Sequence, residues 1–308
     1  METEGQVWFT YTGADGEVID DQATHVIVQA RVIRTRAFFQ HRKIVEVICS
    51  EDVEKVESFA FYRCPSLRRV IMPNVKVVER SSFLSCEALE DVECDKLEIV
   101  KEYAFYWCRS LRSINLPSVR IVWNEAFYGC SLTDVKFGNK LERLKEIAFC
   151  NCESLERITI PFKDGLITAD NIFMGCDNLH QVDLVDGEVL HEAIAAFQLE
   201  EWRYEMSEEI DSINQILPNA SAGRWNGWGD EEEDPGEKAQ AIRVWIISVF
   251  REIMYYQEEH YNLLNEAATA LQLALPSEIV MNNVLSFLKL PSHSFEVDEP
   301  RYDYGYSG

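Results

Sequence analysis

Read for its apolar positions, the chain shows two kinds of pattern. A Phe-x-x-Cys pair returns at Phe61/Cys64, Phe83/Cys86, Phe105/Cys108, Phe127/Cys130 and Phe149/Cys152 in steps of 22 residues, and at Phe173/Cys176 after 24. A Leu follows each Cys (Leu67, Leu89, Leu111, Leu132, Leu155, Leu179). Three positions on stands a β-branched residue (Val70, Val92, Ile114, Val135, Ile158, Val182). A degenerate first copy runs through Phe38, Ile44 and Val47, with His41 in the Cys place. Self-similarity at a fixed period is the mark of a repeat architecture. Each unit predicts a short strand, as in Val70-Ile71-Met72, whose side chains alternate between faces. The Glu-x-Ala-Phe-x-x-Cys stretch predicts a helical turn. One unit cannot bury its apolar face alone. Stacked units, at about 4.8 Å per strand, form one continuous core. Pro73, Pro117 and Pro161 end every second strand, since proline cannot donate to a ladder.

The copies ESFAFYRCPSLRRVIMP (57–73), KEYAFYWCRSLRSINLP (101–117) and KEIAFCNCESLERITIP (145–161) resemble the BspA-type leucine-rich repeat, Ile-x-x-x-Ala-Phe-x-x-Cys-x-x-Leu-x-x-Ile-x-Ile-Pro. The resemblance spans about residues 30–186. The usual Ile-Gly before the turn is replaced by Val56-Glu57, Val78-Glu79 and Val100-Lys101. The resemblance implies an α/β leucine-rich repeat solenoid, with a parallel sheet on a concave face and short helical turns opposite. It also implies a binding protein with no shared active site.

The pattern changes on either side. Residues 1–33 predict an N-terminal β cap: Val7–Thr12 and Val26–Val28 as strands, a turn at Ala14-Asp15-Gly16, and Trp8, Phe9 and Tyr11 buried against the first repeat. The repeats occupy 34–186. In 187–217, Phe197, Trp202, Met206, Ile210, Ile213 and Leu217 recur at spacings of three to five, an amphipathic helix that Pro218 ends. Residues 218–237, with Gly, Pro and the run Asp230–Asp234, predict an acidic flexible linker. Residues 238–290 predict a helical hairpin or bundle, with Pro276 ending one helix and Ser277 capping the next. Residues 291–308 predict a disordered tail. The stretch 263–288 is similar to the C-terminal helical segment of uncharacterised diatom-type leucine-rich repeat proteins. Leu275-Pro276-Ser277-Glu278-Ile279 with Val284–Leu288 is also similar to the opening of an F-box, which would imply a ubiquitin-ligase substrate adaptor acting through 275–290.

Charge narrows the partners. The formal net charge over 308 residues is −24. Residues 191–308 carry 22 acids and 7 bases, residues 51–190 carry 24 and 17. Such acidity argues against nucleic acid or an anionic membrane. The longest apolar runs, such as Val244–Phe250, are far below the roughly 20 residues that span a bilayer. Nine cysteines, an odd number, with no secretory leader at Met1–Gln6, predict a reducing, cytoplasmic location. Six of them form the repeat column and read as small buried hydrophobes. No Cys-x-x-Cys pair, phosphate-binding glycine loop or catalytic motif is present, and the six His are scattered. No enzyme activity, cofactor or metal is therefore expected.

What remains is a surface. The positions flanking each inward Val or Ile point outward: Arg69 and Ile71, Asp91 and Glu93, Ser113 and Asn115, Asp134 and Lys136, Arg157 and Thr159, Gln181 and Asp183. They vary between repeats while the inward positions barely change. The expectation is a protein-interaction module or scaffold that holds a partner on this concave face. Arg69 and Arg157 are its anchors, since guanidinium groups fork onto carboxylates.

Overall fold

The computed structural model describes residues 5–163, 165–185, 200–224 and 234–274. The chain forms two compact units, Met1–Val185 with Asn214–Arg243, and Asp186–Ile213 with Val244–Gly308.

In the first unit, four- or three-residue strands alternate with two-residue strands, except at each end, where two four-residue strands follow one another. In chain order these are β1 (Trp8–Tyr11), β2 (His25–Val28), β3 (Val32–Ile33), β4 (Glu46–Cys49), β5 (Lys55–Val56), β6 (Arg69–Ile71), β7 (Val77–Val78) and β8 (Asp91–Glu93). They continue as β9 (Ile99–Val100), β10 (Ser113–Leu116), β11 (Ile121–Val122), β12 (Asp134–Phe137), β13 (Arg143–Leu144), β14 (Arg157–Ile160) and β15 (Gln181–Leu184). The longer strands pair in parallel as β1-β2-β4-β6-β8 and β10-β12-β14-β15. The short ones form a second parallel sheet, β13-β11-β9-β7-β5-β3, which runs past the break between β8 and β10. This is the expected solenoid, with a second sheet that the sequence pattern did not predict.

The core is a set of columns. Val26, Val47, Val70, Val92, Ile114, Val135, Ile158 and Val182 are all buried in the long-strand column. Seven phenylalanines, Phe38 to Phe173, stack ring on ring. Successive rings from Phe61 to Phe149 have centroids 5.1, 5.2, 5.3 and 5.2 Å apart and are nearly parallel. At that spacing parallel rings are offset, the favoured arrangement. Tyr11 closes the column, its ring 5.2 Å from Phe38 at 60°, and its hydroxyl accepts the Arg34 N–H at 3.2 Å. The residues expected as a separate cap therefore carry the repeat's own stacking: β1 and β2 are parallel and in register with the repeat strands. Tyr11 is buried as expected and Phe9 is half-buried, but Trp8 is 48% exposed and leans on His25.

The Phe-x-x-Cys segments are not helical turns. Phe59 and Arg63 have φ of 62° and 54°, and left-handed pairs recur at Ser81/Ser85, Tyr103/Trp107, Glu125/Gly129 and Ile147/Asn151. A left-handed residue at every fourth position breaks a right-handed helix. The N–H groups of Ala60, Tyr62 and Cys64 instead close tight turns onto Glu57, Phe59 and Phe61. Those of Phe59, Phe61 and Arg63 donate to Arg80, Ser82 and Leu84 of the next unit. Every turn is thus laddered to its neighbour, which satisfies its backbone without a helix. In the last repeat the first left-handed position is lost, and Asp170–Phe173 winds as a 3-10 helix.

Residues 214–243 cap the end of the stack. The Val182 N–H, on the outer edge of the last strand, donates to Asn214 Oδ1 at 2.9 Å. The Gly175 N–H donates to Ala222 O at 2.8 Å, where its equivalents reach the next unit. Lys238 is 2% exposed, and its Nζ donates to Leu179 O at 2.6 Å and Leu217 O at 3.1 Å. The expected flexible linker is therefore tied down at its described ends. The Arg224 backbone N–H donates to Asp234 O at 2.8 Å, and Gly223 (φ 71°) packs so closely that a Cβ there would meet Asp234 O at 2.2 Å. Residues 225–233 lie outside the described residues.

The two predicted helices are present as α1 (Glu200–Ile216) and α2 (Lys238–Ala274). Within the second unit, Trp245 Nε1 donates to Glu209 O at 3.1 Å and the Tyr256 hydroxyl to Glu205. Met206, Ile210, Ile213, Val249 and Ile253 are buried there. The third predicted helix, the F-box-like stretch 275–290 and the tail lie outside the described residues.

Candidate binding faces

The long strands present two outward rows. Strand register aligns Trp8, His25, Glu46, Arg69 and Asp91 in one row, with Thr10, Ile27, Ile48, Ile71 and Glu93 in the other. Past the break the rows continue as Ser113, Asp134, Arg157, Gln181 and as Asn115, Lys136, Thr159, Asp183. All twelve residues expected on this face lie on it. Six further members, Trp8, Thr10, His25, Ile27, Glu46 and Ile48, were missed because their copies lack the Phe-x-x-Cys signature.

The two expected anchors already have partners. Arg69 Nε lies 3.1 Å from Asp91 Oδ2, its Nη1 lies 3.7 Å from Glu46 Oε1, and its Nη2 is bonded to Glu93. Arg157 Nε lies 3.6 Å from Asp183 and 3.9 Å from Asp134, and Nη2 donates to Gln181 Oε1 at 3.0 Å. Cross-strand neighbours one turn away supply these groups, as sheet geometry dictates. The Glu93 carboxylate, ahead of Asp91 and Glu46, holds the Arg69 guanidinium above its usual range.

A second edge shows the same logic. Arg31, Glu54, Lys76, Glu98, Arg120 and Glu142 form one backbone-laddered row in which the sign of charge alternates at every turn. Arg31–Glu54 and Arg120–Glu142 close at 2.8 Å. A shallow groove of about 340 Å³ follows this edge, lined by Glu51, Glu54, Lys76, Lys96, Glu98 and Lys140 among others. Arg68, Glu90 and Arg112 alternate likewise beside the long strands, and proline marks every second turn. The solenoid is built from two alternating kinds of turn.

On the turn edge, cations rest on aromatic rings. Arg36 lies over Phe39 and Phe59, Arg63 over Tyr62, Arg80 over Tyr103, Arg109 over Trp107, and Lys101 4.3 Å from the Trp123 centroid. Tyr106 stacks on Tyr128 at 4.6 Å. On the strand face carboxylates such as Glu46 and Glu93 pair with guanidinium groups instead, so the two surfaces differ in chemistry.

The column cysteines have a role that the sequence reading missed. Each thiol donates to the carbonyl of the Phe one turn back: Cys64 to Phe38, Cys86 to Phe61, Cys108 to Phe83, Cys130 to Phe105, Cys152 to Phe127 and Cys176 to Phe149, at 3.0–3.3 Å. Those carbonyls also accept the N–H of their own turn, so the thiol fills the second lone pair. In the first copy His41 stands in the Cys place, with Nε2 3.0 Å from Asp20 O and the Ile44 N–H donating to Nδ1. All nine cysteines are buried, and none is in a disulfide. Burial pushes Cys49 and Cys94 up to about 12. Among the described residues no three His, Cys, Asp or Glu side chains gather as metal ligands, and no helix is long and apolar enough to cross a membrane.

No curated protein matches the chain by sequence. Among solved structures, a leucine-rich repeat protein from T. pallidum is 23% identical, over 58% of this chain and 75% of that one, with a TM-score of 0.38. One from Bacteroides ovatus is 21% identical, over 51% and 65%, at 0.23. A leucine-rich cell surface protein from Faecalibacterium prausnitzii is 15% identical, over 57% and 82%, at 0.24. The BspA type leucine rich repeat region matches in six copies, over residues 23–118 and 98–215. That match takes in more than half of the chain, from the second strand of the solenoid through its last turn and α1, and the chain belongs to the BspA-type leucine-rich repeat family.

Proposed function

We propose that the chain is a non-enzymatic protein-interaction module, a scaffold that holds a protein partner on the outward rows of its long strands. One observation carries the reading: the inward positions are nearly uniform and buried, while the outward rows change from turn to turn on strands in parallel register. A sheet face of this kind offers an extended surface rather than a cleft, which suits a macromolecule. The residues assigned to it are Arg69, Ile71, Asp91, Glu93, Ser113, Asn115, Asp134, Lys136, Arg157, Thr159, Gln181 and Asp183. No cofactor enters this reading. Net acidity favours a protein over nucleic acid. Nine cysteines outside any disulfide favour action in a reducing cytoplasm.

The test is affinity capture from a lysate with the full chain and with Asn115→Ala, Lys136→Ala and Thr159→Ala combined. These side chains line the outer rows without holding the core. Loss of a captured protein, with the melting temperature held, supports the reading. Capture that survives these changes and is lost on replacing exposed Val244, Met254 and Tyr255 of α2 would place binding in the helical part instead.

A further inference from the structure

The amino-terminal half of the strand face differs from the rest in two respects. Its second row is aliphatic, with Ile27, Ile48 and Ile71 aligned on three adjacent strands and each partly exposed. Beyond the break the same row is Asn115, Lys136, Thr159 and Asp183. Beside the isoleucines stands the Arg69 cluster, in which one guanidinium meets three carboxylates, Glu46, Asp91 and Glu93. Its formal balance is −2. The adjoining Arg68 and Glu90 cancel each other. Around Arg157 the balance is −1, from Asp134 and Asp183. Aliphatic area next to unmatched carboxylate is thus confined to one half of the face.

We infer that this half of the face is the docking site for a partner segment that presents aliphatic side chains next to a lysine or arginine. The inference rests on the strand-face reading above and names the chemistry of the partner. Burying the three isoleucines supplies the non-directional part of the affinity. A cation seated between Asp91 and Glu93 completes a cluster that the chain itself leaves over-acidic, and complementary charge fixes orientation and register. Arg69 then acts as a spacer that splays the carboxylates rather than as the hook for a partner's acid.

The probe is a labelled nonapeptide carrying Val-Lys-Val-Arg-Val between Gly-Ser ends, read by fluorescence anisotropy against the full chain at physiological salt. Two control peptides replace the cations with Glu or the valines with Ser. The inference expects the probe to bind at least about tenfold tighter than either control. Ile48→Thr with Ile71→Thr, which keeps β-branched strand formers, should weaken it by about tenfold, and so should Asp91→Asn with Glu93→Gln. Glu142→Gln, an acid on the other sheet edge, should leave binding unchanged. Equal losses at Glu142 and at Asp91/Glu93 would show general attraction to an acidic protein and overturn the inference, as would equal binding of the Ser control. If the captured partner is lost with the Asn115, Lys136 and Thr159 changes but not with these, the strand face binds and this docking site fails. If neither set matters, both readings fail.

Discussion

The Cys108 thiol donates to the Phe83 carbonyl oxygen at 3.3 Å, one full turn back along the stack. That bond sets an expectation for substitution. If the cysteine served only as a small hydrophobe, Ala would be the better replacement and Ser would bury an unsatisfied hydroxyl. Because an acceptor is waiting, Cys108→Ser should cost about 1 kcal/mol and be no worse than Cys108→Ala, which loses the donor altogether. Urea midpoints for the two variants decide it. A Ser variant less stable than the Ala variant by more than about 1 kcal/mol would remove the thiol bond from the account.

Burial should also show in alkaline stability. Cys49 and Cys94 are pushed up to about 12 from 9.0, and burial raises Cys86, Cys108 and Cys152 too. A thiol that ionises later in the folded than in the unfolded chain contributes stability that is complete below about pH 9 and is lost as pH rises toward the folded value. The melting temperature should therefore hold between about pH 6 and 8 and decline above about pH 9. A flat profile to about pH 10.5 would mean that the thiols are accessible.

Lys238 shifts the other way. Burial holds its ammonium below the usual range, against the opposing pull of Cys176 and Asp177. The folded chain then sheds this proton before the unfolded chain does, so the group's contribution grows as pH rises through the folded value toward 10.5. Lys238→Met should lose about 1–3 kcal/mol by stripping the donor from Leu179 O and Leu217 O. The gap from the parent should widen with pH. Hydrogen exchange should report the loss first at β15 and Leu179.

The paired guanidinium groups yield a different expectation. Arg69 and Arg157 are both about half exposed, and exposed ion pairs contribute roughly 0–1 kcal/mol. Arg69→Ala with Arg157→Ala should move the melting temperature by no more than a few degrees. A larger drop would mean that these clusters hold the sheet together.

The repeat was legible because Phe, Cys, Leu and Val recur where columns must be filled, and volume at those sites cannot vary. The two-residue strands were not, since Val77-Val78 is too short to show any alternation. Left-handed residues at Phe59 and Ile147 gave no warning either, as neither is Gly. The caps depend on Asn214 and Lys238, which reach Val182 and Leu179 from 32 and 59 residues away. The Arg69 cluster could have been read: outward residues set one repeat apart place Glu46, Arg69 and Asp91 on neighbouring strands. The strand period placed these residues on one outward face, but it did not show that Arg69 and Arg157 pair with carboxylates of the same face.

The alternation of two turn types has a consequence for how such a chain can change length. Removing one turn, for example residues 81–102, would set Lys76 beside Arg120 and Arg68 beside Arg112, like charge on like along both edges. Removing two, residues 81–124, keeps every neighbour opposite in sign on the lysine edge, with Lys76 meeting Glu142. Growth or loss by gene duplication is then expected in pairs. The two-turn deletion should therefore lose less than twice the stability lost by the one-turn deletion, read as urea midpoints, because only the one-turn deletion adds like-charge contacts to its loss of core.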